Sequence, residues 1–189
     1  MLSTAELVRG SYGAWRLLLG DASGLKQLDT TPPGMWRSFL LAPLLLPFFV
    51  LAVIEHAIEI DAGASWAHIF GIELCAYAIG WSAFPLAMTW IAPLIDRERD
   101  YDAYIAAYNW SNIVQFALIM PLVLFGLASI LPAGILQIVS VAVSLALLVY
   151  GWFIAKTALR LPALGAVGIV ALDFIITFFI SAISDLLIA

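Results

Sequence analysis

The sequence predicts an all-α fold: a polytopic membrane helix bundle of five transmembrane helices with an N-terminal amphipathic interfacial helix. Three observations predict it. Hydrophobic residues make up 64% of the chain and charged ones only 11%, where soluble domains run at about 45–50% and about 25%. The apolar residues gather in five long stretches, and at about 1.5 Å per residue each is long enough to cross a hydrocarbon layer roughly 30 Å thick. All eight basic residues, Arg9, Arg16, Lys26, Arg37, Arg97, Arg99, Lys156 and Arg160, fall on one side of a five-span arrangement. That asymmetry is the positive-inside pattern, and it predicts a cytoplasmic N-terminus, a periplasmic C-terminus and a bacterial inner-membrane location.

The net charge of −5 follows the same division. On the cytoplasmic side eight bases meet seven acids, and the other six acids (Glu55, Glu59, Asp61, Glu73, Asp173, Asp185) have no lysine or arginine on their side or in their spans. No basic tract suits nucleic acid, so none is expected as a partner. Cys75 is the only cysteine, which excludes an internal disulfide and a Cys/His metal set. The first thirty residues hold neither a continuous apolar run nor a small-residue cleavage site, so the first span is expected to direct insertion.

Residues 1–35 read as a cytoplasmic amphipathic helix and linker, and 36–189 as the transmembrane domain. Placed at 100° steps, Leu7, Val8, Tyr12, Ala14, Trp15, Leu18 and Leu19 share one arc. Glu6, Arg9, Gly10, Gly13 and Arg16 share the other, with Leu17 out of place. Ser3 and Glu6 have capping-box spacing, and Gly20 suits a C-cap. Leu7 and Trp15 with Arg9 and Arg16 suit the headgroup region of the lipid bilayer, the expected partner of this helix; packing against cytoplasmic loops is the other reading.

Asp21 to Gly34 reads as a connector, with Pro32-Pro33-Gly34 as a breaker. The spans follow at about 36–60, 66–95, 102–130, 134–155 and 163–188. Pro43 and Pro47 should bend the first, which ends in an acidic rim of Glu55, His56, Glu59 and Asp61. The second contains Pro85 and Pro93 and is longer than the hydrocarbon is thick, so it must tilt, kink or project. Asp96 to Asp100 is a charged turn, Leu131 to Gly134 a tight outer loop, and Lys156 to Pro162 the last cytoplasmic turn. An odd number of spans with no internal repeat argues against a simple inverted-repeat transporter.

Few residues can carry chemistry. Asp173 sits about ten residues into the fifth span, where a charged carboxylate costs about 3 kcal/mol on insertion scales. With no Lys or Arg near the centre of any span, it requires a hydrogen-bond partner or a proton. Glu73 lies about 10 Å inside the outer end of the second span, and His68 is not on its face. Tyr101, Tyr104 and Tyr108 share one face of the third span. Asn109, Asn112 and Gln115 follow at i+3 as a polar stripe that either joins helices or lines a wet cavity. Tyrosine and tryptophan there suit interface anchors. Enzyme signatures are absent, and Glu55 and Glu59 at i,i+4 beside His56 read as a solvated rim in preference to a divalent-cation site, so no catalytic residue, cofactor or metal is expected.

The chain resembles the bacterial branch of the Yip1-like (YIP1 family) integral membrane proteins. The likeness rests on an amphipathic N-terminus, five spans with short loops, a proline-broken first span and an Asp/Tyr-rich start to the third (Arg99-Asp-Tyr-Asp-Ala-Tyr104, then Tyr108-Asn-Trp110). It is carried by topology rather than by a motif. It implies a non-enzymatic structural or scaffold protein that binds a protein partner or a second copy of itself. The residues leave two other readings open: a small transporter or channel using Asp173, Glu73 and the Asn109/Asn112/Gln115 stripe, or an accessory subunit of a larger membrane complex. The topology predicts that cysteines placed at Arg97 or Lys156, with Cys75 replaced by alanine, stay unreactive to membrane-impermeant thiol reagents until the membrane is opened. Labelling of intact cells at either position contradicts it.

Overall fold

The computed structural model describes residues 2–59 and 63–188; Asp61 of the expected outer rim lies outside them, as does the side chain of Glu59. The helices are α1 (Thr4–Leu18), α2 (Pro32–Ser38), α3 (Leu41–Glu59), α4 (Trp66–Leu94), α5 (Tyr101–Leu127), α6 (Ala133–Ala158) and α7 (Ala163–Ile188). Short 3-10 turns occupy Ala22–Gln27 and Glu98–Asp100, and the described residues contain no strand. Five segments are long and apolar enough to cross a membrane: α2 with α3, then α4, α5, α6 and α7. The chain is a multi-pass helical membrane protein.

Two expectations about the first span need correction. Pro32-Pro33-Gly34 opens a helix rather than breaking one. Thr31 caps it, its Oγ1 accepting from Gly34 N at 3.3 Å, and the prolines fill first-turn positions where no N–H is needed. The boundary at 35/36 therefore falls inside α2. The break comes later, between Ser38 and Leu41, because the Pro43 ring would clash with the carbonyl of Phe39 in a continuous helix. Tight i→i+3 bonds bridge it: Leu40 N to Arg37 O at 3.0 Å and Ala42 N to Phe39 O at 3.0 Å. Pro47 is accommodated within α3.

The predicted caps of α1 form. Ser3 Oγ accepts from Glu6 N at 3.1 Å and Glu6 Oε2 from Ser3 N at 3.2 Å. Gly20 adopts φ 76°, a left-handed value that suits glycine. Asp21 N then reaches Arg16 O at 2.9 Å, closing a Schellman turn. The same closure ends α4, α5 and α6 at Asp96, Ser129 and Arg160, all non-glycine residues at positive φ.

The faces of α1 are not those expected. Gly10, Gly13, Ala14 and Leu17 are buried against the rest of the protein, so the residue that broke the pattern, Leu17, is a docking residue. The glycines allow close approach: Gly10 lies against the indole of Trp110, and a Cβ on Gly13 would stand 2.8 Å from Gly24 O. Val8, Tyr12, Trp15 and Leu19 stay exposed as a separate stripe. Charge locks this layer. Arg37 Nε donates to Glu6 Oε1 at 2.8 Å, the same guanidinium pairs with Asp29, and Arg16 pairs with Asp21. Hydrogen bonds from Ser23 and the Arg16 guanidinium hold the Asp21 carboxyl down to about 2. Those from Thr31 and Arg37 lower Asp29, and those from Ser3 and Arg37 lower Glu6.

The five spans form a ring in the order α3, α5, α6, α7, α4 and back to α3, with α1 and α2 packed on α5 at one end. Tyr150 Oη donates to Ala14 O at 2.8 Å and Arg160 Nε meets Asp100 Oδ1 at 3.5 Å, bringing the basic segments to that same end. The main core lies there, around Phe84, Met88, Ile105, Ile154 and Leu159. A smaller core of Val53, Ala57, Ile69 and Ile188 closes the far end. Trp110 and Tyr104 are 5% and 2% exposed, so they are core residues rather than interface anchors. Gly10→Leu should force α1 off Trp110 at a cost of about 1–3 kcal/mol, read as a lower melting temperature of the purified protein. An unchanged melting temperature contradicts this docking.

Candidate functional site

Between the two cores the ring frames a half-open cavity of about 530 Å³, along which Thr177 and Ser181 are exposed. α7 supplies a polar stripe along it: Asp173, Thr177, Ser181 and Ser184 recur at steps of four, four and three, one face of a helix. α4 contributes Glu73, Tyr77 and Trp81 at i, i+4 and i+8. α5 contributes Tyr104, Tyr108, Asn112 and Gln115 near its start, and α6 presents Ser144 and Gly151, whose small size leaves room.

Four of the five polar candidates named from sequence meet here: Asp173, Glu73, Asn112 and Gln115 all line the cavity. Tyr108 Oη donates to Asp173 Oδ1 at 2.9 Å, from α5 to α7. Ser184 Oγ donates to Glu73 Oε1 at 2.7 Å, from α7 to α4. The fifth, Asn109, does not reach the cavity. It is fully buried at the α2 contact, its Nδ2 donating to Ser38 Oγ at 2.8 Å, while its Oδ1 has no hydrogen-bond partner.

The polar stripe on α5 therefore divides. Asn109 joins helices. Asn112 donates to Tyr108 O and Asn109 O at 3.3 and 3.4 Å, and Gln115 to Ser111 Oγ at 3.0 Å, all within α5. Their outer edges face the cavity instead of a neighbouring helix.

Aromatic rings form much of the remaining wall. Phe49 and Tyr77 have centroids 4.3 Å apart, and Trp81 meets Tyr77 edge-on at 6.1 Å. Tyr77 Oη donates to Ala42 O at 2.7 Å, fixing this wall to α3. Phe84 packs on Tyr108 at 4.8 Å and on Tyr104 at 6.1 Å, backing the two tyrosines that line the cavity beside Asp173. The shared face of Tyr101, Tyr104 and Tyr108 is thus a packing face on α4, with Tyr101 Oη donating to Pro85 O at 3.1 Å.

Sequence reasoning missed Thr177, Ser181 and Ser184, although their register with Asp173 is visible in the chain. It also missed the pairing of His56 Nε2 with Asp185 Oδ1 at 3.1 Å, and that of His68 Nε2 with Leu187 O at 2.9 Å, which tie far-end residues to α7. Among the described residues no group of three His, Cys, Asp or Glu side chains comes together to hold a metal ion.

No family model matches the chain, and no curated protein or solved structure is significantly similar to it. The cavity itself generates a test. Asp173→Asn keeps an acceptor for Tyr108 and should fold at near wild-type yield. Asp173→Leu leaves the half-buried Tyr108 hydroxyl without its partner, a loss of about 1 kcal/mol or more. Its detergent-extracted, monodisperse yield should fall clearly below that of Asp173→Asn, and equal yields would remove the bond from the list of structural contacts.

Proposed function

We propose that this chain is a non-enzymatic multi-pass protein of the bacterial inner membrane that binds a small solute within the bilayer, as a carrier or channel. One observation carries the reading: both intramembrane carboxylates, Asp173 and Glu73, face the same 530 Å³ cavity. Lipid tails filling a half-open cleft would leave these carboxylates in an apolar medium, where they are costly, so a polar occupant suits the cleft better. A cavity lined by a few polar groups among aromatic and aliphatic ones has the make-up of a ligand site.

The proposed orientation puts the α1 end in the cytoplasm, supported by the gathering of all eight basic residues at that end. α1 then lies along the inner surface. Val8, Tyr12, Trp15 and Leu19 are exposed on it at helical spacing, and Arg9 and Arg16 stand within reach of phosphate headgroups. A Yip1-like scaffold is the second reading, favoured by the same apolar stripe, which offers a flat surface to a partner or to another copy.

Water access separates the two readings. In a Cys75→Ala background, Thr177→Cys and Ser181→Cys face the cavity, while Phe178→Cys faces outward from the same turn, where Phe178 is 58% exposed. A small water-soluble thiosulfonate should modify the first two in native membranes and leave the third unmodified. Inert cysteines at both 177 and 181 would overturn the solute-binding reading and leave the scaffold.

A further inference from the structure

The chemistry of the cavity wall narrows the class of solute. None of the described residues lining it is Lys, Arg or His. Its two carboxylates are offset only by hydroxyl donors, so the field inside is negative and an anion is repelled. A compact metal ion is a poor occupant as well. It needs several oxygen ligands within about 2.0–2.6 Å, yet Glu73 is held by Ser184, eleven residues along α7 from Asp173, or about 16 Å at the helical rise. No single ion can bridge them.

An extended organic cation fits both the charge and the surface. One turn and two turns from Glu73 stand Tyr77 and Trp81, and Phe49 extends the same wall from α3 at 4.3 Å from Tyr77. Aromatic faces attract a cation whose charge is spread over carbon. The volume lies within the roughly 300–1,000 Å³ usual for sites that enclose drug-sized molecules. The Ser184 hydroxyl on Glu73 is a neutral donor that a positive group can displace.

We propose that the cavity binds a lipophilic organic cation, a protonated amine or quaternary onium with apolar arms. Its charge lies beside Glu73 and its arms lie on the wall formed by Phe49, Tyr77 and Trp81. This rests on the solute-binding reading above.

The test uses two ions of one shape and opposite sign, tetraphenylphosphonium and tetraphenylborate. Binding to the full chain in lipid nanodiscs is measured by equilibrium dialysis against empty nanodiscs. Saturable binding of the phosphonium with none of the borate is expected. Glu73→Gln should weaken phosphonium binding by about tenfold or more, and Trp81→Leu should weaken it while elution stays monodisperse. Equal uptake of the two ions by the wild-type protein would overturn the proposal without recourse to any variant, and so would unchanged affinity in Glu73→Gln. The Ser181→Cys chain separates this failure from that of the underlying reading. If its thiol reacts with the water-soluble reagent but the phosphonium gives no protection, the ligand class is wrong and the cavity stands; if neither it nor the Thr177→Cys thiol reacts, both fall.

Discussion

Hydrocarbon offers no hydrogen bonds, so every polar side chain inside the bilayer must be answered by another part of the protein. That constraint ties this bundle together. Tyr108 answers Asp173 between α5 and α7, Ser184 answers Glu73 between α7 and α4, and Tyr77 answers Ala42 O between α4 and α3. These bonds link α5, α7, α4 and α3, the first of them crossing the ring past α6. Each bond is worth about 0.6–2 kcal/mol in a membrane. Their weight lies in the alternative: breaking one strands a carboxylate or phenol in an apolar medium, which costs more than the bond supplies. The bonds therefore act on the choice of register and neighbour more than on total stability.

The same constraint explains the two ends. Where α1 and α2 meet α5, close packing does the work and the polar groups are few. Gly10 on Trp110 and Gly13 against Gly24 remove side chains so that backbone and ring can touch. Asn109 and Ser38 complete the contact with one hydrogen bond, although Asn109 Oδ1 goes without a partner. At the far end a Cβ on Gly126 would lie 2.6 Å from Glu55 Oε1, so α3 and α5 approach closely there as well. Small residues between these ends serve another purpose: Ala76, Gly80, Ser144 and Gly151 line the cavity and leave its volume open.

Hydropathy and charge asymmetry made the five spans legible, because a lipid environment constrains composition over whole segments. Asp173 and Glu73 were legible because a mid-membrane carboxylate is too costly to be incidental. Hydroxyls carry no such signal. Thr177, Ser181 and Ser184 are each cheap in a helix, and only their register with Asp173 marks them. The Asn109, Asn112 and Gln115 stripe misled for a geometric reason: steps of three rotate by about 60° each, so the first member turns to α2 while the others turn to the cavity. The two prolines at 32 and 33 depended on Thr31, since a capped start converts a breaker into a first turn. The burial of Gly10 depended on Trp110, a hundred residues away in sequence, which no local periodicity contains, and that of Leu17 on the turn around Gly24 folding back onto α1.

Charge and packing together give the cavity a direction. Its floor is set by Tyr104 and Ile154, each 2% exposed, in the large core beneath α1. Toward the other end it is bordered by Thr177 and Ser181, which are exposed, and closed by only the small cluster around Val53 and Ile69. Acids gather at that end: Glu55, Glu73 and Asp185, with His56 on Asp185 as the basic group paired there. A negative field over a low-dielectric mouth draws cations and raises their local concentration. Passage toward α1 meets the Phe84, Tyr104 and Tyr108 cluster, in which Tyr108 is bonded to Asp173. On the proposed reading, a cation reaching Asp173 would compete with the hydroxyl that holds α5 to α7. On that reading, occupancy at Asp173 would be coupled to the contact between two helices of the ring, whereas at Glu73 it would displace only the Ser184 hydroxyl near the end of α7. The two carboxylates are chemically alike, but their hydrogen-bond partners differ: Asp173 is held by Tyr108 of α5, and Glu73 by Ser184 near the end of α7.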